Sequence, residues 1–227
     1  MNRVKPGETA RTPWIVGVSG ASGTPYAAAV LRALLVAGES VDLVVSRASR
    51  LTLLDETGIA FRDAHWRDDL REWLARGADG KPEAFAVDLA GVRHWSAGDL
   101  AAGPSSGSYP AKGMLIVPAS TACVAGVALG LSKDLLQRAA SVTLKEGRKL
   151  VVAVREAPLN GQTLRHLVTL DDAGATVVPT SPAFYQGATH IQDLVDFVAG
   201  RILDAAGVEH DLYRRWKGEL GGGSGAT

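Results

Sequence analysis

The sequence lacks several features on which particular protein classes depend: cysteine pairs, an excess of one charge, metal-ligand spacing and long apolar runs. Among its 227 residues there is one cysteine, Cys123, which excludes an internal disulfide framework and is typical of a reducing compartment. Its 24 basic and 24 acidic residues cancel, which argues against a surface for nucleic acid. Its five histidines lack metal-ligand spacing, so we expect no metal. No apolar run could span a bilayer or serve as a signal sequence, so we expect a soluble, cytoplasmic protein away from membranes.

Short apolar runs alternate with helical patterns along most of the chain. Unbroken apolar strands separated by helices are typical of a parallel sheet that is covered on both faces. We therefore predict an α/β, three-layer Rossmann-like (flavodoxin-like) fold with a mostly parallel sheet. Strands are predicted at 14–19, 41–46, 114–118, 150–154 and 176–178, and helices at 24–37, 47–57, 65–75, 135–145, 159–172 and 191–206.

The termini and one internal stretch do not follow this alternation. We expect a flexible N-terminus at 1–12, a single domain over 13–217 and a disordered tail at 218–227, which is rich in glycine. Residues 59–112 give no strand signal. A turn at 77–82 and a Gly/Ser/Pro-rich loop at 98–110 are predicted there.

A glycine-rich turn follows the first predicted strand and leads directly into a helix. Gly17, Gly20 and Gly23 have the spacing G-x-x-G-x-x-G, and such a turn directs backbone N–H groups and a positive helix end at one place, which suits a phosphate. In parallel α/β sheets the ligand lies beyond the carboxyl ends of the strands. The residues directly after the other predicted strands are therefore candidates for the same site.

A nicotinamide dinucleotide is disfavoured as the ligand. It calls for a carboxylate after the second strand, where this chain has Ser46 and Arg47. The Tyr-x-x-x-Lys pair of short-chain dehydrogenases occurs only at Tyr213 and Lys217, near the C-terminus. Hydroxyl residues after three predicted strands favour a flavin mononucleotide cradle instead, although each alone could be only a helix cap. They are Ser22, Ser46 and Ser120.

Charged side chains are further candidates for contacting a ligand, and a basic pair on one helix face can hold a phosphate. Arg155 and Glu156 directly follow a buried strand, a costly place for charges unless they meet a ligand or each other. Arg138 and Lys145 lie seven residues apart on one predicted helix and therefore on one face. A surface salt bridge and a solvated helix face, respectively, are the structural alternatives.

With these residues in place, the chain resembles the UbiX-type flavin prenyltransferases, within the flavin-dependent cysteine decarboxylase-like fold. The resemblance covers 14–60 and 104–216. The most diagnostic pair is Leu144-Lys-Glu146 followed by Arg155-Glu-Ala-Pro158. It also rests on Ser19-Gly-Ala-Ser-Gly23, Ser46, Glu56, Ser106-Gly-Ser108, Pro118-Ala-Ser-Thr121, Arg138-Ala, Phe184-Tyr185 and Arg201-Ile-Leu203.

The resemblance implies an activity, a cofactor and partners. A dimethylallyl group passes from dimethylallyl monophosphate to N5 and C6 of reduced FMN without a metal, and the prenylated FMN serves a UbiD-type decarboxylase. Members of this family form homo-oligomers, commonly dodecamers, with their sites at subunit contacts.

The resemblance also implies roles for particular residues. FMN would be held by Gly20, Ala21, Ser22, Ser46, Ser120, Thr121, Ala122, Cys123 and Arg155. The substrate would be bound by Lys145, Tyr185, Arg201 and Trp216, the last as an aromatic surface. The catalytic set would be Ser22, Glu56, Arg138, Lys145 and Glu156, with Ser22, Glu56 and Glu156 handling protons.

Two other functions stay open on the sequence. A flavin-dependent cysteine-type decarboxylase of the same fold calls for a histidine after the second strand, where this chain has Glu56. A non-catalytic FMN-binding accessory subunit of an aromatic-acid decarboxylase would need no second phosphate grip. The chain also departs from the family's usual Cys, Asn and Asp with Ala119, Asp134 and Ser141.

Overall fold

The computed structural model describes residues 11–81 and 88–216. Apart from Arg11 and Thr12, the predicted flexible N-terminus and disordered tail lie outside the described residues, as does Lys217. In chain order the elements are β1 (Trp14–Val18), α1 (Thr24–Val36), β2 (Val41–Val45), α2 (Arg47–Thr57), α3 (Trp66–Leu74), β3 (Val92–Ser96), β4 (Gly113–Ala119), α4 (Thr121–Ala128), α5 (Leu135–Lys145), β5 (Lys149–Val154), α6 (Gly161–Asp172), β6 (Thr176–Pro179) and α7 (Ile191–Ala206).

The six strands form one sheet in the order β3-β2-β1-β4-β5-β6, and every neighbouring pair is parallel. The chain begins in the middle at β1, moves outward to β3, and then returns to build the other half from β4. This is the order of a doubly wound Rossmann sheet. The predicted three-layer α/β fold is confirmed, and the sheet is wholly parallel.

Both faces of the sheet are covered by helices. On one face α1, α3 and α7 pack against the apolar side chains of the strands, and on the other face α4, α5 and α6 do so. β1, β2 and β4 are buried along their whole length. This double burial explains why their sequences read as continuous apolar runs rather than alternating ones.

The predicted element bounds agree with the structure to within one or two residues. The predictions at 47–57, 135–145 and 191–206 coincide with α2, α5 and α7. β3 is missed because it lies at the edge of the sheet, and its sequence Val-Arg-His-Trp-Ser has only its first residue fully buried. The short helix α4 is not among the predicted helices.

The direction of the helices decides which residues can meet. We call the side of the sheet where the strands end the carboxyl edge, and the opposite side the amino edge. Leu135 N, at the start of α5, donates to the carbonyl of Ala97 just after β3, and Lys149 begins β5. α5 therefore runs from the carboxyl edge to the amino edge.

Gly17 lies inside β1 and not in the glycine-rich turn, so the sequence interpretation of its role is wrong. A Cβ at this position would lie 2.9 Å from both Leu136 Cγ and Met114 Cε. The missing side chain lets α5 approach the centre of the sheet closely. Only Gly20 and Gly23 remain to shape the turn.

A buried ionic group fixes the amino edge. The side chain of Asp42 in β2 is fully buried; Arg11 forms a salt bridge to it, and Tyr109 Oη donates to it at 2.6 Å. Burial, together with this hydrogen bond, raises the pKa of Tyr109 to about 12. Asp42 thus ties the segment before β1 and the loop before β4 to the sheet.

Candidate active site

The turn after β1 is held against the neighbouring strand by Ser19. Its buried hydroxyl donates to the carbonyl of Pro118 at 2.8 Å and accepts from Ser120 N at 2.7 Å. A Cβ at Gly20 would lie 2.5 Å from the Cβ of Ala48, so glycine is needed where α2 approaches the turn. Ser19 was part of the sequence motif, but no role was predicted for it.

The N-terminus of α1 is capped by a carboxylate from another helix. Gly23, at φ +111°, provides no side-chain cap. Instead Glu56 Oε1 accepts from Gly23 N at 2.8 Å, and Oε2 accepts from Thr24 N at 2.8 Å and from Thr24 Oγ1 at 2.6 Å. The glycine turn predicted an open phosphate position here, and that part of the interpretation is wrong because Glu56 fills the positive helix end.

The side chains of Glu56 and Ser22 lie close together at this turn. Burial acts to raise the pKa of Glu56, but hydrogen bonds from Thr24, from the Ser22 hydroxyl and from the Gly23 and Thr24 backbone outweigh it and leave this pKa below its usual value. Glu56 is therefore ionised at neutral pH. Ser22 is exposed, so its hydroxyl lies between the Glu56 carboxylate and the solvent. Such a pair can accept a proton from a ligand and return it.

Arg155 brings a positive charge to the same turn. It directly follows β5, and its Nε donates to the carbonyl of Ser22 at 3.0 Å. Glu156 is exposed and its Oε1 accepts from Ala157 N at 3.1 Å. Within the described ranges these two side chains form no salt bridge with each other. The alternative interpretation of this pair as a surface salt bridge is therefore wrong.

Two further helices begin at the carboxyl edge on either side of β1. Ser46 Oγ accepts from Ser49 N at 3.1 Å at the start of α2, and Ser120 Oγ accepts from Cys123 N at 3.3 Å at the start of α4. Both serines are thus helix caps. A cap satisfies only one of the first N–H groups of a helix, and the preceding ones remain directed outward.

These two helix starts fit the phosphate of a flavin mononucleotide. β2 and β4 flank β1 in the sheet, so the N-termini of α2 and α4 lie on either side of the turn that carries Ser22, whose carbonyl is contacted by Arg155 from the end of β5. Outward N–H groups and a positive end on each helix suit a phosphate dianion. Thr121 is half-buried and Ala122 is exposed at the start of α4, where their backbone is accessible.

Cys123 can contribute to this edge only through its backbone. Its side chain is buried, and burial raises the pKa of the thiol to about 12. The thiolate is therefore absent at physiological pH.

Arg138 and Lys145 form a second group, on α5. Arg138 Nε donates to the carbonyl of Ser105 at 3.1 Å, and Lys145 Nζ is paired with Glu146. Lys145 is the last residue of α5, which at 1.5 Å rise per residue places it about 15 Å from the carboxyl edge. In one chain it does not meet the pair of Ser22 and Glu56.

Tyr185, Arg201 and Trp216 form a third group, around α7. The ring centroids of Tyr185 and Trp216 are 5.8 Å apart, and those of Tyr185 and Phe197 are 6.0 Å apart. Arg201 Nη1 lies 3.0 Å from Asp204 Oδ2. Within one chain the predicted site residues therefore form three groups, namely the flavin part at the carboxyl edge, the α5 group and the α7 group.

Among the described residues no helix is long and apolar enough to cross a membrane. In the same part of the chain, no three His, Cys, Asp or Glu side chains are grouped so that they could hold a metal ion.

Comparison with known proteins gives the class of the chain. A family model described as Flavoprotein matches residues 3–203, so the chain belongs to the flavoprotein family. Over 210 residues it is 89% identical to flavin prenyltransferase UbiX of Streptomyces coelicolor, which covers 92% of this chain and 97% of that protein. Over 221 residues it is 39% identical to flavin prenyltransferase UbiX of Synechocystis sp., covering 92% and 98%. Within the flavoproteins the chain is a UbiX-type flavin prenyltransferase.

Two solved structures extend this comparison. AnUbiX (PadA1), in complex with FMN and dimethylallyl pyrophosphate, superposes with a TM-score of 0.77 at 32% identity, over 92% of this chain and 99% of that one. A dodecameric FMN-dependent UbiX-like decarboxylase from Escherichia coli O157:H7 superposes with a TM-score of 0.76 at 35% identity, over 91% and 100%.

Proposed function

We propose that this chain, in the cytoplasm, transfers a dimethylallyl group from a dimethylallyl phosphate ester to N5 and C6 of reduced FMN, and that the prenylated FMN serves a UbiD-type decarboxylase. The observation that carries this proposal is the grouping of Ser22, Glu56 and Arg155 at the carboxyl edge, where α2 and α4 also begin. This grouping combines a phosphate site, a cation and a proton acceptor at one sheet edge.

The carboxyl edge would hold the flavin. Its phosphate would bind to the first N–H groups of α2 and α4, with Ser46 and Ser120 fixing those helix ends and Gly20 and Ala21 lining the turn. When bound, reduced FMN supplies the nucleophilic atoms N5 and C6. The Ser22 hydroxyl would accept the proton lost at N5 and pass its own proton to the nearby ionised carboxylate of Glu56. The bond to C6 adds a proton to the prenyl double bond and releases the proton on C6, so the same pair would return one proton and accept another.

The leaving phosphate calls for fixed cations. The C–O bond of the allylic ester breaks as the new bond forms, so negative charge collects on the phosphate oxygens, and positioned donors stabilise it. Lys145, Arg201 and Arg138 would supply positive charge and Tyr185 a hydroxyl. Tyr185 and Trp216 also offer ring faces to the allylic cation, each contributing about 1–2 kcal/mol.

In this proposal the substrate groups come from neighbouring copies. Lys145 ends α5 at the amino edge, far from Ser22 of the same chain. A homo-oligomer, for which we propose a dodecamer, would bring the α5 end and the α7 groups of other copies to the flavin. The dodecameric Escherichia coli UbiX-like structure supports this arrangement.

The test is anaerobic incubation of the purified protein with reduced FMN and either dimethylallyl monophosphate or dimethylallyl diphosphate. The proposal predicts a flavin with an altered absorption spectrum and a mass increased by one prenyl unit in the monophosphate arm. A non-catalytic flavin carrier would bind FMN and return it unchanged in both arms. That result would overturn the proposal.

A further inference from the structure

One carboxylate on α7 collects four hydrogen-bond donors. Asp204 Oδ2 accepts from Arg201 Nη1 at 3.0 Å and from Tyr213 Oη, while Oδ1 accepts from His210 Nε2 at 3.1 Å and from Arg215 Nη2 at 2.8 Å. The Asp204 side chain is 17% exposed and that of His210 is 2% exposed. Asp204 is therefore the centre of an ordered polar cluster and not a solvated surface residue.

This cluster fixes Arg201 by one nitrogen only. Nη1 bonds to Asp204 and also lies 3.4 Å from Tyr213 Oη, whereas within the described residues no acceptor is bonded to Nε or Nη2. The side chain of Arg201 is 56% exposed. Two neighbouring guanidinium N–H groups that share an edge are the usual bidentate donors to an oxyanion such as phosphate. Arg201 is thus held with its phosphate-binding edge free.

The same carboxylate anchors the segment that follows α7. Tyr213 packs where a side chain at Gly200 would stand, since a Cβ there would lie 2.5 Å from Tyr213 Cδ1. The segment then returns along α7 so that Trp216 meets Tyr185. Asp204 therefore holds both Arg201 and the segment that carries Trp216.

We infer that Asp204 is a positioning residue for the phosphate group of the prenyl donor, acting through Arg201. The inference rests on the proposed function for the identity of the ligand. Arg201 and Arg215 together outweigh the single negative charge of Asp204, so the cluster stays attractive to an anion. Fixing Arg201 before the ligand arrives reduces the side-chain entropy lost on binding.

The test compares Asp204→Asn with a matched control, Asp68→Asn, which removes an exposed i,i+3 partner of Arg71 on α3. In the whole oligomer, Asp204→Asn should raise the KM for dimethylallyl monophosphate roughly tenfold and change kcat and the affinity for FMN much less. The control should behave as wild type. A parallel loss of FMN affinity would mark a merely structural role and overturn the inference.

A double variant tests whether Asp204 acts through Arg201. In an Arg201→Ala background, Asp204→Asn should raise the KM little further, because its target is already gone. An equal effect in both backgrounds would overturn the inference.

Donor affinity is measured separately by calorimetry on protein loaded with oxidised FMN, which does not turn over. A lower affinity in Asp204→Asn supports the positioning role even if wild type fails to prenylate reduced FMN, an outcome that would overturn only the proposed function. Unchanged affinity would overturn the positioning role.

Discussion

The carboxylate of Glu56 lies 2.8 Å from the backbone nitrogen of Thr24 and closes the N-terminus of α1. Glu56 stands 32 residues further along the chain, near the end of α2. The helix end that follows the glycine-rich turn is thereby neutralised by the protein itself. What the turn offers to a ligand is the Ser22 hydroxyl, with a carboxylate behind it that can accept its proton.

Replacing Glu56 by glutamine should separate proton transfer from flavin binding. Glu56→Gln keeps the shape of the side chain but removes the charge, so we expect turnover to fall at least roughly tenfold with little change in FMN affinity. Loss of the charged cap should lower the free energy of unfolding by about 1 kcal/mol. Asp55→Asn, which changes an exposed neighbour on α2, is the control.

The pH dependence of stability tests the same carboxylate. The pKa of Glu56 is lowered in the folded state, so its stabilising contribution is complete above the unfolded-state pKa and is lost as the pH falls through the folded-state pKa. The difference in unfolding free energy between wild type and Glu56→Gln should therefore shrink below the usual glutamate pKa of about 4.3. A difference that stays constant down to acid pH would contradict this role.

Glu156→Gln should affect turnover and leave folding unchanged. The carboxylate is exposed and, within the described ranges, accepts only the N–H of Ala157. We therefore expect FMN to stay bound and the thermal midpoint to hold while turnover slows. Steady-state kinetics and a thermal melt measure the two effects. Wild-type turnover would remove Glu156 from the proton-handling groups.

Arg11→Met should destabilise the fold without touching the site. Among the described residues it leaves the fully buried carboxylate of Asp42 with Tyr109 as its remaining side-chain partner, and breaking a buried ion pair from one side costs about 3–5 kcal/mol. Arg71→Met, which breaks an exposed pair, should cost at most about 1 kcal/mol. Denaturant titration measures both, and equal losses would contradict the importance of burial at Asp42.

Cys123 should be inert in the folded protein. Because burial raises its pKa to about 12, a thiol reagent at pH 8 should label it only after unfolding by denaturant. Cys123→Ala should retain FMN, since only the backbone of this residue faces the flavin part of the site. Rapid labelling of the native protein would show that the thiol is accessible.

The carboxyl edge could be predicted from the sequence because each strand and the residues directly after it form a short, continuous pattern. Each apolar run predicted a strand, and parallel strands end at one edge of the sheet. The residues that follow these strands therefore lie at the carboxyl edge, as predicted: Ser22, Ser46, Ser120 and Arg155. β3 escaped because an edge strand need not be apolar.

The remaining errors concern the direction of helices, which composition does not encode. α2 runs along the carboxyl edge, so Glu56 near its end contacts Thr24. α5 runs from the carboxyl edge to the amino edge, so Lys145 at its end lies far from Thr24. The Asp204 cluster was missed because it depends on the return of the chain after α7. Only the i,i+3 spacing of Arg201 and Asp204 hinted at it.

In the oligomer that we propose, one copy supplies the flavin part of each site and other copies supply the substrate groups. Mixed oligomers test it most directly. A chain with both Ser22→Ala and Glu56→Gln lacks the flavin-side groups, and a Lys145→Met chain lacks a phosphate-side group, so each alone should be inactive. Each must keep the oligomer size of wild type.

When the two inactive chains are co-assembled in equal amounts, some sites combine an intact half from each. If each site is shared between copies that mix at random, we expect about a quarter of the wild-type amount of prenylated flavin. It is measured by mass spectrometry of the extracted flavin. If both halves came from the same chain, every site would stay defective. Mixed oligomers of wild-type size that form no prenylated flavin would contradict the division of each site between copies.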